Sequence, residues 1–257
     1  NDKEKINTIF DEAIKIRHEI ATNAGYENYL DYGFAMHHRF DYSPNECIKF
    51  HDAVEKYIMP IRKKLDNERK NMLEVADLRP WDLNVSPAGL TPLKPFEKNE
   101  TNEMVDKTSR LFHELDPDLG KLFDLLRDGD NLDLDTRANK APGGYMYVRP
   151  NSRMPFIFMN AAGMHSNLQT FIHEAGHAFH SLLAKDEPLI DYRESPIEFA
   201  EVASMGMELL THPYFNHFYN SDDCIRARKD HLKTIVTTLP WIATIDAFQH
   251  WIYENPK

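Results

Sequence analysis

Apolar residues recur along this chain mostly at steps of three and four, the spacing of one face of an α-helix. Ile6, Ile9, Phe10, Ala13, Ile14, Ile16 and Ile20 predict a helix from Lys3 to about Ala24, with Gly25 as its stop. A shorter, aromatic-rich helix is expected over 26–36. Ser43-Pro-Asn-Glu46 reads as a helix start, with Ser as N-cap, Pro at the first position and Glu closing a capping box. Cys47, Phe50, Val54, Ile58, Ile61 and Leu65 continue it as one stripe, which Pro60 should kink or end. Leu78 to Phe96 carries four prolines and reads as an extended connection anchored by Trp81. Helices follow near 102–115 and 117–127. Asp128, Asp130, Asp133 and Asp135 then cluster, but Leu132 stands where a calcium loop needs a ligand, so a solvated loop is expected. Gly143 to Val148 and Met154 to Met159 are β-rich and bounded by Gly and Pro, and predict two antiparallel strands. Helical spacing returns over 168–183, 195–210, 222–239 and 241–253, the last two divided by Pro240. The expected fold is mainly α, with a small antiparallel β element.

Composition narrows the partners more than the fold. The 257 residues are 42% hydrophobic and 28% charged, with room for a sizeable core. A net charge of −11 argues against nucleic acid or an anionic membrane surface, both of which reward clustered Lys and Arg. Cys47 and Cys224 lie in separate helical segments without metal-type spacing and read as reduced thiols. No signal peptide opens the chain and no apolar run reaches membrane-spanning length, so a cytoplasmic location is expected. It begins at Asn1 and ends at Lys257 directly after a helical pattern, and reads as a piece of a longer polypeptide.

The chemistry concentrates in His173-Glu174-Ala175-Gly176-His177. Histidines four apart on a helix point about 40° from one another, which suits a shared metal ion. The intervening Glu is then placed to act on water. The surrounding Phe171, Ile172, Ala178 and Phe179 make unpaired polar groups costly here. Gly176 sacrifices helix propensity in mid-helix, as expected where something must approach closely. The next amphipathic segment puts Glu201, Ser204 and Glu208 on one face and offers a third, carboxylate ligand. From the sequence alone Glu194 and Glu198 compete with Glu201. A Zn²⁺ hydrolase is the reading, with one ion per chain.

His173-Glu-Ala-Gly-His-Ala-Phe-His180 followed by Glu198 to Leu210 resembles the M3 family of zinc oligopeptidases, in its bacterial oligoendopeptidase F-like branch. Lys140-Ala-Pro-Gly-Gly-Tyr145 and Pro155-Phe-Ile-Phe-Met-Asn160 extend the likeness, as do Ala24 to Tyr29, Arg39 to Tyr42 and Leu78 to Asp82. The resemblance implies a helical zincin-type metallopeptidase and makes Glu201, in Glu201-Val-Ala-Ser204, the third zinc ligand beside His173 and His177. It implies Glu174 as general base and acid, and short peptides, cut internally by metal-activated water, as substrates. Glu208 matches a family glutamate and is expected to orient a ligand histidine. His180 and Ser204 are expected around the ligands, and Gly143, Gly144 and Tyr145 along the substrate backbone.

The whole chain then reads as part of one peptidase domain, with a helical region over 1–127 and a zinc-binding core over 128–257. The C-terminal part of the family domain, which carries a His- and Tyr-bearing segment that stabilises the tetrahedral intermediate, is expected to be absent. An incomplete zinc-binding fragment that needs that segment for turnover is therefore the alternative to an active enzyme.

Overall fold

Some helix starts in this chain form through side-chain bonds to otherwise orphaned backbone N–H groups. In the computed structural model, which describes all residues except Asn1, Asn84, Ala88, Lys98, Asn99 and Lys257, two compact units are formed. The two chain ends discussed above thus lie outside the described residues. One unit comprises Asn1–Ala88 with His231–Lys257, the other Gly89–Asp230.

The first unit contains α1 (Lys3–Asn23), α2 (Tyr29–Met36), α3 (Pro44–Ala53) and α4 (Met59–Leu73). Gly25 follows α1 at φ +85°, a left-handed conformation that favours glycine. Asn28 Oδ1 accepts the Leu30 and Asp31 N–H groups at the start of α2. The expected capping box opens α3, where the Ser43 hydroxyl and N–H both donate to Glu46 Oε2. Those two bonds, with a smaller contribution from Lys49, hold the Glu46 carboxyl down at about 2. Pro60 does interrupt the stripe: a π-helical turn over Val54–Ile58 separates α3 from α4, and Pro60 sits in the first turn of α4. A missing N–H costs nothing there.

Two expectations fail in this unit. Trp81 anchors nothing, being 71% exposed; Arg69 instead ties the connection down by donating to the Asp82 and Val85 carbonyls. Pro240 does not divide the last helix either. It lies inside α9 (Ser221–Glu254), where the long hydrogen-bonded runs on both sides outweigh the single donor it removes.

The second unit holds α5 (Thr101–Leu115), α6 (Pro117–Asp128), β1 (Leu132–Asp135), β2 (Tyr145–Arg149), β3 (Met154–Ala161), α7 (His165–Ala184) and α8 (Ile197–Leu210). β2 and β3 pair antiparallel as expected, Tyr145 opposite Phe158 and Arg149 opposite Met154. The acidic stretch read as a solvated loop supplies a third strand instead. β1 runs parallel to β3, giving a small mixed sheet in the order β1-β3-β2. Asp133 is neutralised locally: Arg137 grips it with two bonds, and the buried Lys140 ammonium adds a third. Lys140 also donates to the Asp135 and Met159 carbonyls, and Leu134 points into the core.

That core fixes the orientation of α7. Phe171, Ala175, Phe179 and Leu182 form its buried face. Phe179 meets Phe112 edge-on at 4.8 Å, and Phe171 meets Phe123 at 5.6 Å. Burying each phenyl ring contributes roughly 1.5–3 kcal/mol. At 100° per residue, His173 and His177 then face away from the rings of α5 and α6. Among the described residues no helix is long and apolar enough to cross a membrane.

The Asp133 ion pairs make stability depend on acid pH. Arg137 and Lys140 hold the Asp133 carboxyl down at about 2, below its ordinary 3.8. A depressed carboxylate pKa contributes stability that is present above the ordinary value and lost as pH falls through the depressed one. Urea titrations of the chain and its Asp133→Asn variant should therefore differ most near neutral pH and converge between about pH 4 and 2. A difference independent of pH would contradict this account.

Candidate metal and catalytic centre

Two helices and one strand edge build the site. α7 carries His173, Glu174 and His177, and α8 carries Glu201, Ser204 and Glu208. The helices cross at Gly176. A Cβ built there would stand 2.7 Å from Ser204 Cα and 2.8 Å from the Ala203 carbonyl oxygen. Only a residue without a side chain permits that approach. The close approach anticipated at Gly176 is thus that of the α8 backbone.

The crossing brings three ligand-type atoms within 4.8 Å of one another, one each from His173, His177 and Glu201. His173 Nε2 lies 3.3 Å from Glu201 Oε2, and His177 Nε2 lies 3.7 Å from Glu201 Oε1. Two of the three are held by a neighbouring side chain. His173 Nδ1 pairs with Glu208 Oε1 at 2.7 Å, which leaves Nε2 as the nitrogen facing Glu201. The fully buried Ser204 donates its hydroxyl to Glu201 Oε2 at 2.9 Å. Neither Glu194 nor Glu198 belongs to this group of three.

Electrostatics differentiate the two imidazoles. The bond to Glu208 raises the His173 pKa, against the opposing effect of burial. His177 has no such partner; burial lowers its pKa and favours the neutral ring, with Glu201 opposing. Glu174 is 7% exposed, and burial pushes its carboxyl above the usual range. His173 and the Met146 backbone N–H partly offset that shift.

A cavity of about 500 Å³ opens beside His177 and His180. Met146, Tyr147 and Val148 of β2, an edge strand of the sheet, also line it. Arg153, Lys185, Arg193 and Glu194 line it further. His180 therefore borders the cavity rather than joining the three-atom group. Gly143, Gly144 and Tyr145 lie just before this wall. Gly143 has φ +98°, Gly144 packs against Thr170 and Met159, and Tyr145 stacks on Phe158 at 4.9 Å. Asn160 donates to the Ala141 and Gly143 carbonyls and shapes that turn.

Sequence reasoning missed the backbone of Met146 as a neighbour of Glu174, because side-chain identity carries no trace of it. The cationic rim of Arg153 and Arg193 was missed too. Each guanidinium is tied to backbone carbonyls, of Lys185 for the first and of Glu187 and Pro188 for the second.

Comparison with known proteins bears on the family and the fold. The sequence matches the family model of Peptidase family M3 across residues 1–257. Oligoendopeptidase F, chromosomal, of Lactococcus lactis subsp. cremoris is 25% identical over 151 residues, which cover 58% of this chain and 24% of that protein. The fold matches PZ peptidase A, solved with an inhibitor, at a TM-score of 0.91 and 32% identity, over 99% of this chain and 45% of that one. A crystal structure from Bacillus anthracis str. Ames, assigned as an oligoendopeptidase F, matches at a TM-score of 0.91 and 29% identity, over 100% of this chain and 46% of that one. The chain thus spans about a quarter of the first relative and less than half of each of the other two.

The helix crossing yields a prediction of its own. Gly176→Ala should cost about 1–3 kcal/mol in urea unfolding, because its methyl meets backbone rather than a yielding side chain. Gly206→Ala on α8, with nothing within 4 Å of its added methyl, should be neutral or stabilising by up to about 1 kcal/mol. Equal effects at the two glycines would mean that the helices do not approach as described.

Proposed function

Since the chain belongs to peptidase family M3, we propose that it forms part of a zinc metalloendopeptidase that cuts internal bonds of short peptides in the cytoplasm. The observation that carries this reading is the convergence of His173 Nε2, His177 Nε2 and the Glu201 carboxylate beside Glu174. Two imidazoles and one carboxylate are a donor set of catalytic zinc sites, which leave a further position open. The local bonding supports the fit. Glu208 occupies the outer nitrogen of His173, as partners of metal-bound histidines usually do, and Ser204 holds Glu201.

Zinc bound there would polarise the scissile carbonyl and bring the pKa of a water to about 7. Glu174 takes a proton from the attacking water at its carboxylate and returns it to the departing amine. Its buried position shifts it toward the working pH, as suits a group that must both accept and release a proton. The open edge of β2 offers backbone N–H and C=O groups to an extended peptide, along the cavity that His177 borders. Pairing along a strand edge favours short, extended substrates over folded proteins.

A second reading rests on the share of its relatives that the chain spans, which is under half for each one described. On that reading the chain binds zinc and turns over slowly without further segments of the domain. Removing one oxyanion donor alone costs a factor of about 10²–10³ in rate.

Zinc analysis paired with a quenched-peptide assay separates these outcomes. Glu174→Gln should keep the zinc of the wild-type chain and lose at least about 10²-fold in cleavage rate. His177→Ala and Glu201→Ala should each release one equivalent of zinc. Undiminished zinc in Glu201→Ala would remove Glu201 from the ligand set. Zinc at full occupancy without cleavage in the wild-type chain would favour the second reading. The supporting shell has a separate signature: Glu208→Ala should weaken zinc binding about 10- to 100-fold while leaving the fold intact by circular dichroism.

A further inference from the structure

The first unit contains a second convergence of metal-ligating side chains, unrelated to the peptidase centre. Cys47 and His51 lie one turn apart on α3, and Asp246 and His250 lie one turn apart on α9. Spacings of four put each pair on a single helix face. One ligand-type atom each from Cys47, Asp246 and His250 falls within 4.8 Å of the other two. His51 completes the cluster: its Nε2 bonds Asp246 Oδ2 at 2.7 Å, and its ring stands 5.6 Å from that of His250.

Hydrogen bonding within the cluster leaves one member unaccounted for. The His250 side chain is 8% exposed, and its Nε2 is buried without a hydrogen-bond partner. It points toward Asp246 Oδ2 at 3.5 Å without forming that bond. Buried polar atoms are nearly always satisfied, so an orphaned imidazole nitrogen between a thiol and a carboxylate marks the place of a missing partner. A cation bonded to all three would supply it.

We propose that Cys47 Sγ, the Asp246 carboxylate and His250 Nε2 form a binding site for a zinc-class transition metal ion between α3 and α9. The donor set of thiolate, imidazole and carboxylate suits Zn²⁺ and its spectroscopic substitute Co²⁺, and disfavours Mg²⁺ and Ca²⁺, which take oxygen ligands. Binding releases the Cys47 thiol proton, since the thiolate is the ligand. His51 positions Asp246 through its hydrogen bond. The role is structural: the ion pins together two helices distant in the chain, on which the hydrogen-bonded His51 and Asp246 lie 195 positions apart. The sequence conceals this site, because its thiol and its imidazole ligand stand on helices from opposite ends of the chain.

Cobalt reports it selectively, because the peptidase centre contains no sulfur ligand. Titrating the reduced 257-residue chain with Co²⁺ should produce a sulfur-to-cobalt charge-transfer band that saturates within two equivalents, one of them taken by the peptidase centre. Cys47→Ser should abolish the band, Cys224→Ser should leave it unchanged, and His250→Ala should weaken its formation at least tenfold. In the unmodified chain, Zn²⁺ should slow alkylation of Cys47 by iodoacetamide at least tenfold, a readout that needs no variant to fold. Absence of the band, its survival in Cys47→Ser, or an alkylation rate indifferent to Zn²⁺ would each overturn the proposal.

Discussion

Everything distinctive about the candidate centre depends on how closely α8 can lie against α7, and that distance is set at Gly176. A methyl group there would stand 2.7 Å from Ser204 Cα, so the helices touch backbone to backbone. Their approach brings Glu201 to 3.3 Å from one histidine and 3.7 Å from the other. It also brings Glu208 to His173 and leaves Ser204 fully buried beside Glu201. One residue type at one position thus governs the ligand set and the side chains that hold it. Glycine in mid-helix costs about 0.5–1 kcal/mol relative to alanine, a modest cost for that contact.

The rest of the second unit serves to aim α7. Phe112, Phe123, Phe171 and Phe179 interlock on one side of the helix, so its histidine face has one direction left. The sheet contributes differently. β3 packs into the core, while β2 stays at the edge and runs along the cavity beside His177. Lys140 secures the turn between β1 and β2 by binding three backbone or side-chain acceptors at once. The peptidase reading therefore uses a rigid helix for the metal ligands and an open strand edge for the substrate backbone.

Helices were the legible part of this fold, because their periodicity and capping are local. The capping box at Ser43 and the prolines at 44 and 117 sit where helix grammar puts them. Two failures came from features decided at longer range. Asp133 and Asp135 look like a solvated loop until Arg137 and Lys140 neutralise the first, Thr101 donates to the second and β3 offers a strand to pair with. Pro240 looks like a break until the whole length of α9 is weighed against one absent donor. At the site, His173, Glu174 and His177 were readable from spacing alone. Choosing Glu201 over Glu194 and Glu198 required the family resemblance, and the crossing of the two helices places Glu201 beside both histidines. The Met146 N–H beside Glu174 and the cluster around His250 had no local sequence signal.

The central claim is that the α7–α8 crossing creates one centre with two imidazole ligands and one carboxylate. Anomalous diffraction at the zinc edge, from crystals of the zinc-loaded chain, tests it most directly. The account predicts a peak about 2.0–2.2 Å from His173 Nε2, His177 Nε2 and a Glu201 carboxylate oxygen together. A zinc ion held by His180 or Glu194 in place of any of these three, or no peak between α7 and α8, would contradict it.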